Sequence, residues 1–230
     1  KPMAKFAPGW RMTSSVLLFF PLLLTLGNWQ LSRGAEKRVL EEAYLNQITA
    51  LPVLARDRAS DQPFQRVRLQ GVYGTEKFLL DNQVLNGITG YWIVQVFNDN
   101  SGDRFLVNRG FWPGTPRREQ LPEVTSPLGQ TTVVGVIWPF TGLLPVLDDN
   151  SWSQGWPKRI QRMEIERMAS LVGAQADEIR LEAAQPGVRS AAPFAEVLSD
   201  AKHLGYAATW FGLALMLLVS FIVFGFRSAR

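Results

Sequence analysis

The sequence predicts an α+β membrane protein, with two transmembrane helices flanking an extracytoplasmic, antiparallel β-rich domain that carries a few helices. Three observations predict it. Ser14 to Leu31 and Tyr206 to Phe226 are apolar and uncharged, and about 20 helical residues at about 1.5 Å each cross a hydrocarbon core of about 30 Å. The chain between them alternates apolar and polar residues in short runs broken by turn-forming residues, the mark of half-buried strands. The charges divide by region: Lys1, Lys5 and Arg11 precede the first span and Arg227 and Arg230 follow the second, with no acid at either end.

The division by charge sets the expected topology. Of the 24 basic and 20 acidic residues, five bases lie at the ends, so the middle is close to neutral. Positive ends place both termini in the cytoplasm. The expected order is a cytoplasmic segment 1–13, a span 14–31, an exterior domain 32–205, a span 206–226 and a cytoplasmic tail 227–230. The first span also resembles a signal peptide. Its apolar run ends in Gly27-Asn-Trp-Gln-Leu31 rather than a small-x-small site, which favours an uncleaved anchor. With no Arg- and Ser-rich transit segment before it, a Gram-negative inner membrane is expected, with the middle domain periplasmic.

Each element follows from its pattern. Gly34 to Thr49 has apolar residues at a spacing of about 3.6 and continues the first helix outward until Pro52. Phe64 to Tyr73 alternates as a strand, and Glu76 to Asp81, Tyr91 to Asn98 and Arg104 to Phe111 follow in kind. Gly74-Thr75, Asn86-Gly87 and Asn98 to Asp103 are read as the turns between them. A loop rich in proline leads to a strand at Thr131 to Trp138. Asp148 to Lys158 reads as loop, Ile165 to Ala174 as a helix with Gly173 near its end, and Ile179 to Glu182 as a short strand. Gln185 to Pro193 is loop, and a brief helix from Pro193 leads into the second span.

Composition narrows the function. The chain has no cysteine and a single histidine, which removes disulfides, thiolate metal sites and thiol catalysis. A serine–histidine–acid triad would need its histidine in the folded domain, and His203 sits at the membrane edge. Gly87 to Gly90 is a lone G-x-x-G best read as a turn, and Asp148-Asp149 is a solvated pair. No enzyme is expected. The basic balance comes from the span flanks, so the partner it suggests is the lipid bilayer and no nucleic acid.

The second span holds the candidate site. At about 100° per residue, Ala201, Gly205, Ala208 and Gly212 form a small-residue stripe suited to close helix packing. On the opposite face lie His203, Tyr206, Ala207, Trp210 and Ala214. His203, Tyr206 and Trp210 read in two ways: as an interfacial belt with apolar bodies and polar tips, or as an imidazole offering a ring nitrogen to a metal centre beside aromatic surface that covers a flat cofactor.

Three stretches bear on that choice: Leu26-Gly-Asn-Trp-Gln-Leu-Ser-Arg33 with Lys37, Val107-Asn-Arg-Gly-Phe111 with Pro113, and His203-Leu-Gly-Tyr-Ala-Ala-Thr-Trp-Phe-Gly-Leu-Ala214. In their order and in the two-span layout the chain resembles the surfeit-locus protein 1 family, assembly factors of cytochrome c oxidase. The resemblance implies a binding and handover protein that holds haem a transiently and assists its insertion into subunit I of a haem–copper oxidase of the respiratory chain. Its implied partners are that subunit and the haem a synthesis machinery. His203 maps onto the implied ligand of the haem iron, and Trp210 onto an aromatic position tied to the same site. The family often has Asn before this histidine, where Ala201-Lys202 stand here, so an amide partner for the ring is missing from that position. Since neutral imidazole is the ligating form, haem retention is expected to weaken as pH falls toward about 6. The alternative is a structural chaperone or accessory subunit of the oxidase that binds no haem.

Readings of the other motifs are plainer. Trp29 and Gln30 suit an aromatic belt, Arg33 and Lys37 suit lipid phosphates or solvent more than haem propionates, and Asn108-Arg109-Gly110 suits turn geometry with a structural arginine pair.

Overall fold

The structure is a computed structural model that describes residues 6–59, 62–117, 120–139, 152–192 and 198–227. The expected helix from Pro193 and the Asp148-Asp149 pair lie outside these residues. The chain divides into two compact units, one of residues 1–42 and 194–230 and one of residues 43–193.

The first unit is built on two long helices, α1 (Trp10–Ile48) and α3 (Ala201–Arg227), both long and apolar enough to cross a membrane. α1 runs unbroken through the first apolar stretch and the amphipathic one after it, as the spacing predicts. Most side chains of both helices are exposed, and the covered ones recur at alternating steps of three and four. On α1 they include Val16, Phe20, Leu23, Gly27, Gln30, Gly34 and Lys37; on α3 they include His203, Ala207, Trp210, Ala214, Leu217 and Phe221, with Phe211, Ser220 and Gly225 beside them. That spacing is the seam of a left-handed helix pair. Contacts of Gly27 with Phe211, of Gly34 with His203, and of Phe6 with Phe221 and Phe226 run in opposite senses along the chain, so the pair is antiparallel. A Cβ on Gly27 would come within 2.7 Å of the Phe211 ring, so this glycine is required by close approach.

The stripe of small residues on α3 is not the face that meets α1. Ala201, Gly205, Ala208 and Gly212 are exposed, and a Cβ on Gly205 or Gly212 would meet nothing within 4 Å. The small residues actually used are Ala207 and Ala214. The stripe follows from angular clustering on one helix, whereas the seam is chosen by the partner's side chains.

The second unit is a seven-stranded mixed sheet rather than an antiparallel one. Its strands are β1 (Val53–Leu54), β2 (Arg66–Leu85), β3 (Ile88–Asp99), β4 (Arg104–Pro113), β5 (Thr131–Trp138), β6 (Lys158–Ile160) and β7 (Glu178–Leu181), and helix α2 spans Ile165–Val172. β2, β3 and β4 form an antiparallel meander. β7 then joins β4 in parallel, β5 joins β7 antiparallel, and β5 also pairs with the first third of β2. The circuit β2-β3-β4-β7-β5 therefore closes on itself as a small barrel. β1 and β6 add parallel to the two flanks of β2. Each of the parallel strands arrives from a long connection rather than a hairpin, which frees its direction.

Long β2 spans the expected break at Gly74-Thr75. The chain does not turn there but bulges, with a register shift between the Tyr73 and Lys77 pairs. The expected turn at Asn86-Gly87 is present, both residues at positive φ (51° and 77°), the two-residue hairpin that matches strand twist. All five strands of the circuit give side chains to one cluster, with Leu69, Phe97, Val107, Val133 and Ile179 among them, so this is the enclosed core. A second cluster on the outer face, including Phe78, Val96 and Leu106, is covered by Met168, Ala169 and Val172 of α2. Gly173 ends α2 in the left-handed conformation, as expected.

Candidate functional site

Helix α1 holds the start of α3 at three levels, each one turn apart. At the first, Gln30 Oε1 lies 2.8 Å from His203 Nδ1. At the second, Gly34 presents bare backbone, where an added Cβ would sit 3.5 Å from the His203 Cβ and 3.7 Å from that of Asp200. At the third, Arg38 Nε is 3.3 Å from the Asp200 carboxylate. Asp200 directly precedes α3, and a negative charge there complements the positive end of the helix.

A carbonyl oxygen only accepts, so the contact is a hydrogen bond in the tautomer that carries its hydrogen on Nδ1, the one in which Nε2 holds the lone pair. His203 is half-buried on the seam, Trp210 is half-buried on the same seam two turns along, and Tyr206 is 58% exposed. His203 and Trp210 are thus on one face, and Tyr206 lies off it. Arg33 pairs with Glu36 at 2.7 Å and lies 6.0 Å from the Trp29 ring, while Lys37 is half-buried on the seam.

Among the described residues no group of three or more His, Cys, Asp or Glu could hold a metal ion. A bare transition-metal ion needs three or four protein ligands, whereas porphyrin iron brings its own equatorial nitrogens and asks the protein only for axial ones. One imidazole with a free Nε2 fits the second requirement and not the first. Gln30, read from the sequence with Trp29 as part of an aromatic belt, instead faces His203. The signal available was its place at the same helical spacing as Leu23, Gly27 and Gly34, which are covered positions of α1.

Asn108-Arg109-Gly110 belongs to the sheet unit. Gly110 has φ of 85°, and a Cβ there would fall 2.0 Å from the Ser190 carbonyl oxygen. It sits at a bulge where β4 advances from Asn108 to Phe111 while β3 advances only from Val94 to Trp92. Asn108 donates to Glu178 at 2.7 Å. The arginine pair expected here is absent: among the described residues no carboxylate pairs with Arg109, which is 1% exposed. Its guanidinium donates instead to Gln95 Oε1, Ser126 Oγ and the carbonyls of Thr125 and Gly187, and lies about 5 Å from the ring centres of Tyr73 and Trp112. Burial lowers its pKa and raises that of Tyr73 to about 12. A cleft of about 850 Å³ also opens in this unit beside Trp138. Charges lining it pair with one another or with neighbours, Arg58 with Asp177, Glu164 with Arg162 and Arg167, and the buried Glu178 with Arg180.

A family model described as the SURF1 family matches residues 17–215. The chain belongs to the SURF1 family. SURF1-like proteins of Rickettsia felis and Rickettsia conorii are 27% and 25% identical to it, with 91% of this chain aligned to 94% and 89% of theirs. That of Rickettsia prowazekii is 23% identical over 225 residues. The match to the SURF1 model reaches from the first apolar helix, through every strand, to Leu215 of the last helix. It therefore takes in both Gln30 and His203.

Proposed function

We propose that this SURF1 family member is a membrane-anchored assembly factor for a haem–copper cytochrome c oxidase, which holds haem a on His203 and hands it to subunit I. The observation that carries the reading is the Gln30 contact, which leaves Nε2 of the lone histidine as the free nitrogen. His203 would hold the haem through that nitrogen, and the haem would supply the redox-active iron that the oxidase requires. Tyr206 offers exposed aromatic surface one turn along, and a single axial bond at a half-buried ring suits release better than a buried pair would. In this reading both apolar helices span a bacterial inner membrane and the sheet unit is periplasmic.

The test is an absorption spectrum of detergent-purified protein from cells co-expressing haem a synthesis, comparing wild type with His203→Phe. Haem in the wild type, lost in the variant at unchanged expression and membrane insertion, supports the ligand. Equal haem in both, or none in either, overturns it. A second reading, a scaffold that holds the oxidase without haem, draws on the exposed and unpartnered Gly205 and Gly212 face of α3.

A further inference from the structure

We infer that Gln30 is the positioning residue of the haem site, fixing the tautomer and orientation of the His203 imidazole from the opposite helix. This rests on the reading of His203 as the axial ligand. Three facts carry it. The amide oxygen is 2.8 Å from Nδ1, a hydrogen-bond length. Gln30 and Gly34 lie one turn apart on α1 and meet the same residue, one at the ring nitrogen and the other at the Cβ, so the side chain is held at its root and along one edge. Of the polar residues on this stretch of α1, Asn28, Ser32, Arg33 and Glu36 are exposed, whereas Gln30 is half-buried on the seam, where a glutamine facing a neighbouring helix needs a partner. A free histidine interconverts between tautomers and rotamers. One tied at Nδ1 presents Nε2 alone, in one orientation, and gains basicity from its acceptor.

Here the amide reaches the ring across the helix pair instead of from the preceding residue. The site is then divided between α1 and α3, and haem retention depends on their pairing.

A plain interhelical hydrogen bond would look the same in the apo protein, so the test reads the iron. Wild type, Gln30→Leu, Gln30→Glu and His203→Phe are prepared with haem as above and compared by haem content and by resonance Raman of the ferrous form. Gln30→Leu is expected to lose haem about tenfold or more, with a shifted iron–imidazole stretching band in what remains. Gln30→Glu, whose carboxylate accepts more strongly from Nδ1–H, is expected to keep haem, raise the iron–imidazole frequency and lower the midpoint potential. If Gln30→Leu does not fold, the Gln30→Glu shifts decide alone. Haem lost in His203→Phe but unchanged content, band and potential in the Gln30 variants overturns the inference and leaves the ligand reading intact. Haem retained in His203→Phe overturns the ligand reading itself, and the inference with it.

Discussion

Arg109 shows how one side chain holds several segments together without a counter-ion. A guanidinium has five N–H donors in a rigid fork, and here it gathers Gln95 of β3, the 125–126 strand-free segment and Gly187. Removing it leaves the buried Gln95 oxygen and the part-buried acceptors of Ser126 and Gly187 without this donor, and a buried polar group left unsatisfied costs about 1–3 kcal/mol. Arg109→Met is therefore expected to destabilise the sheet unit by about 3–5 kcal/mol, read as a lower denaturant midpoint. Arg109→Lys, with its single ammonium, should recover only part of that loss. The sequence shows an arginine between asparagine and glycine at a strand end, and a charge pair is the ordinary inference. Neutral acceptors and two aromatic faces were not legible there, because they come from residues far away in the chain.

At the scale of elements, the seam between α1 and α3 makes a directed prediction. The protein has no cysteine of its own, and the Cβ positions of Gly34 and Asp200 are 3.7 Å apart, within disulfide reach. A Gly34→Cys, Asp200→Cys protein should crosslink on oxidation. Adding Gly27→Leu, which collides with the Phe211 ring, should reduce the crosslink, whereas Gly212→Leu should not, since nothing lies near that position. Crosslinking read on a gel tests both. Helix positions, the β5 boundaries and the Asn86-Gly87 turn were legible because they depend on local periodicity and backbone preference. The choice of helix face was not, nor were β1 and β6, which are two and three residues long and carry no period. The Gly74 bulge read as a turn because glycine allows both, and only the partner strand decides.

For the molecule as a whole, acid stability follows from an ion pair that ties β2 to β4 beside the end of α2. Burial alone would raise the pKa of Glu76, but the hydrogen bond and charge of Arg104, 2.5 Å away, outweigh it and hold the carboxyl below 4.5. Arg104 also donates to the Val172 carbonyl of α2. A carboxylate depressed in the folded state stabilises the protein above its unfolded pKa, and that stability is lost as pH falls through the lower, folded value. Thermal midpoints should therefore drop below about pH 4.5, and Glu76→Gln should be less stable at neutral pH with a flatter acid limb.

The closure of the β2-β3-β4-β7-β5 circuit has a consequence for recognition. A sheet with an open rim can recruit another polypeptide by lending it backbone hydrogen bonds, whatever that polypeptide's side chains are. Around the circuit each strand is paired with its neighbours on both sides, so recognition there falls to side-chain chemistry before any particular surface residue is considered.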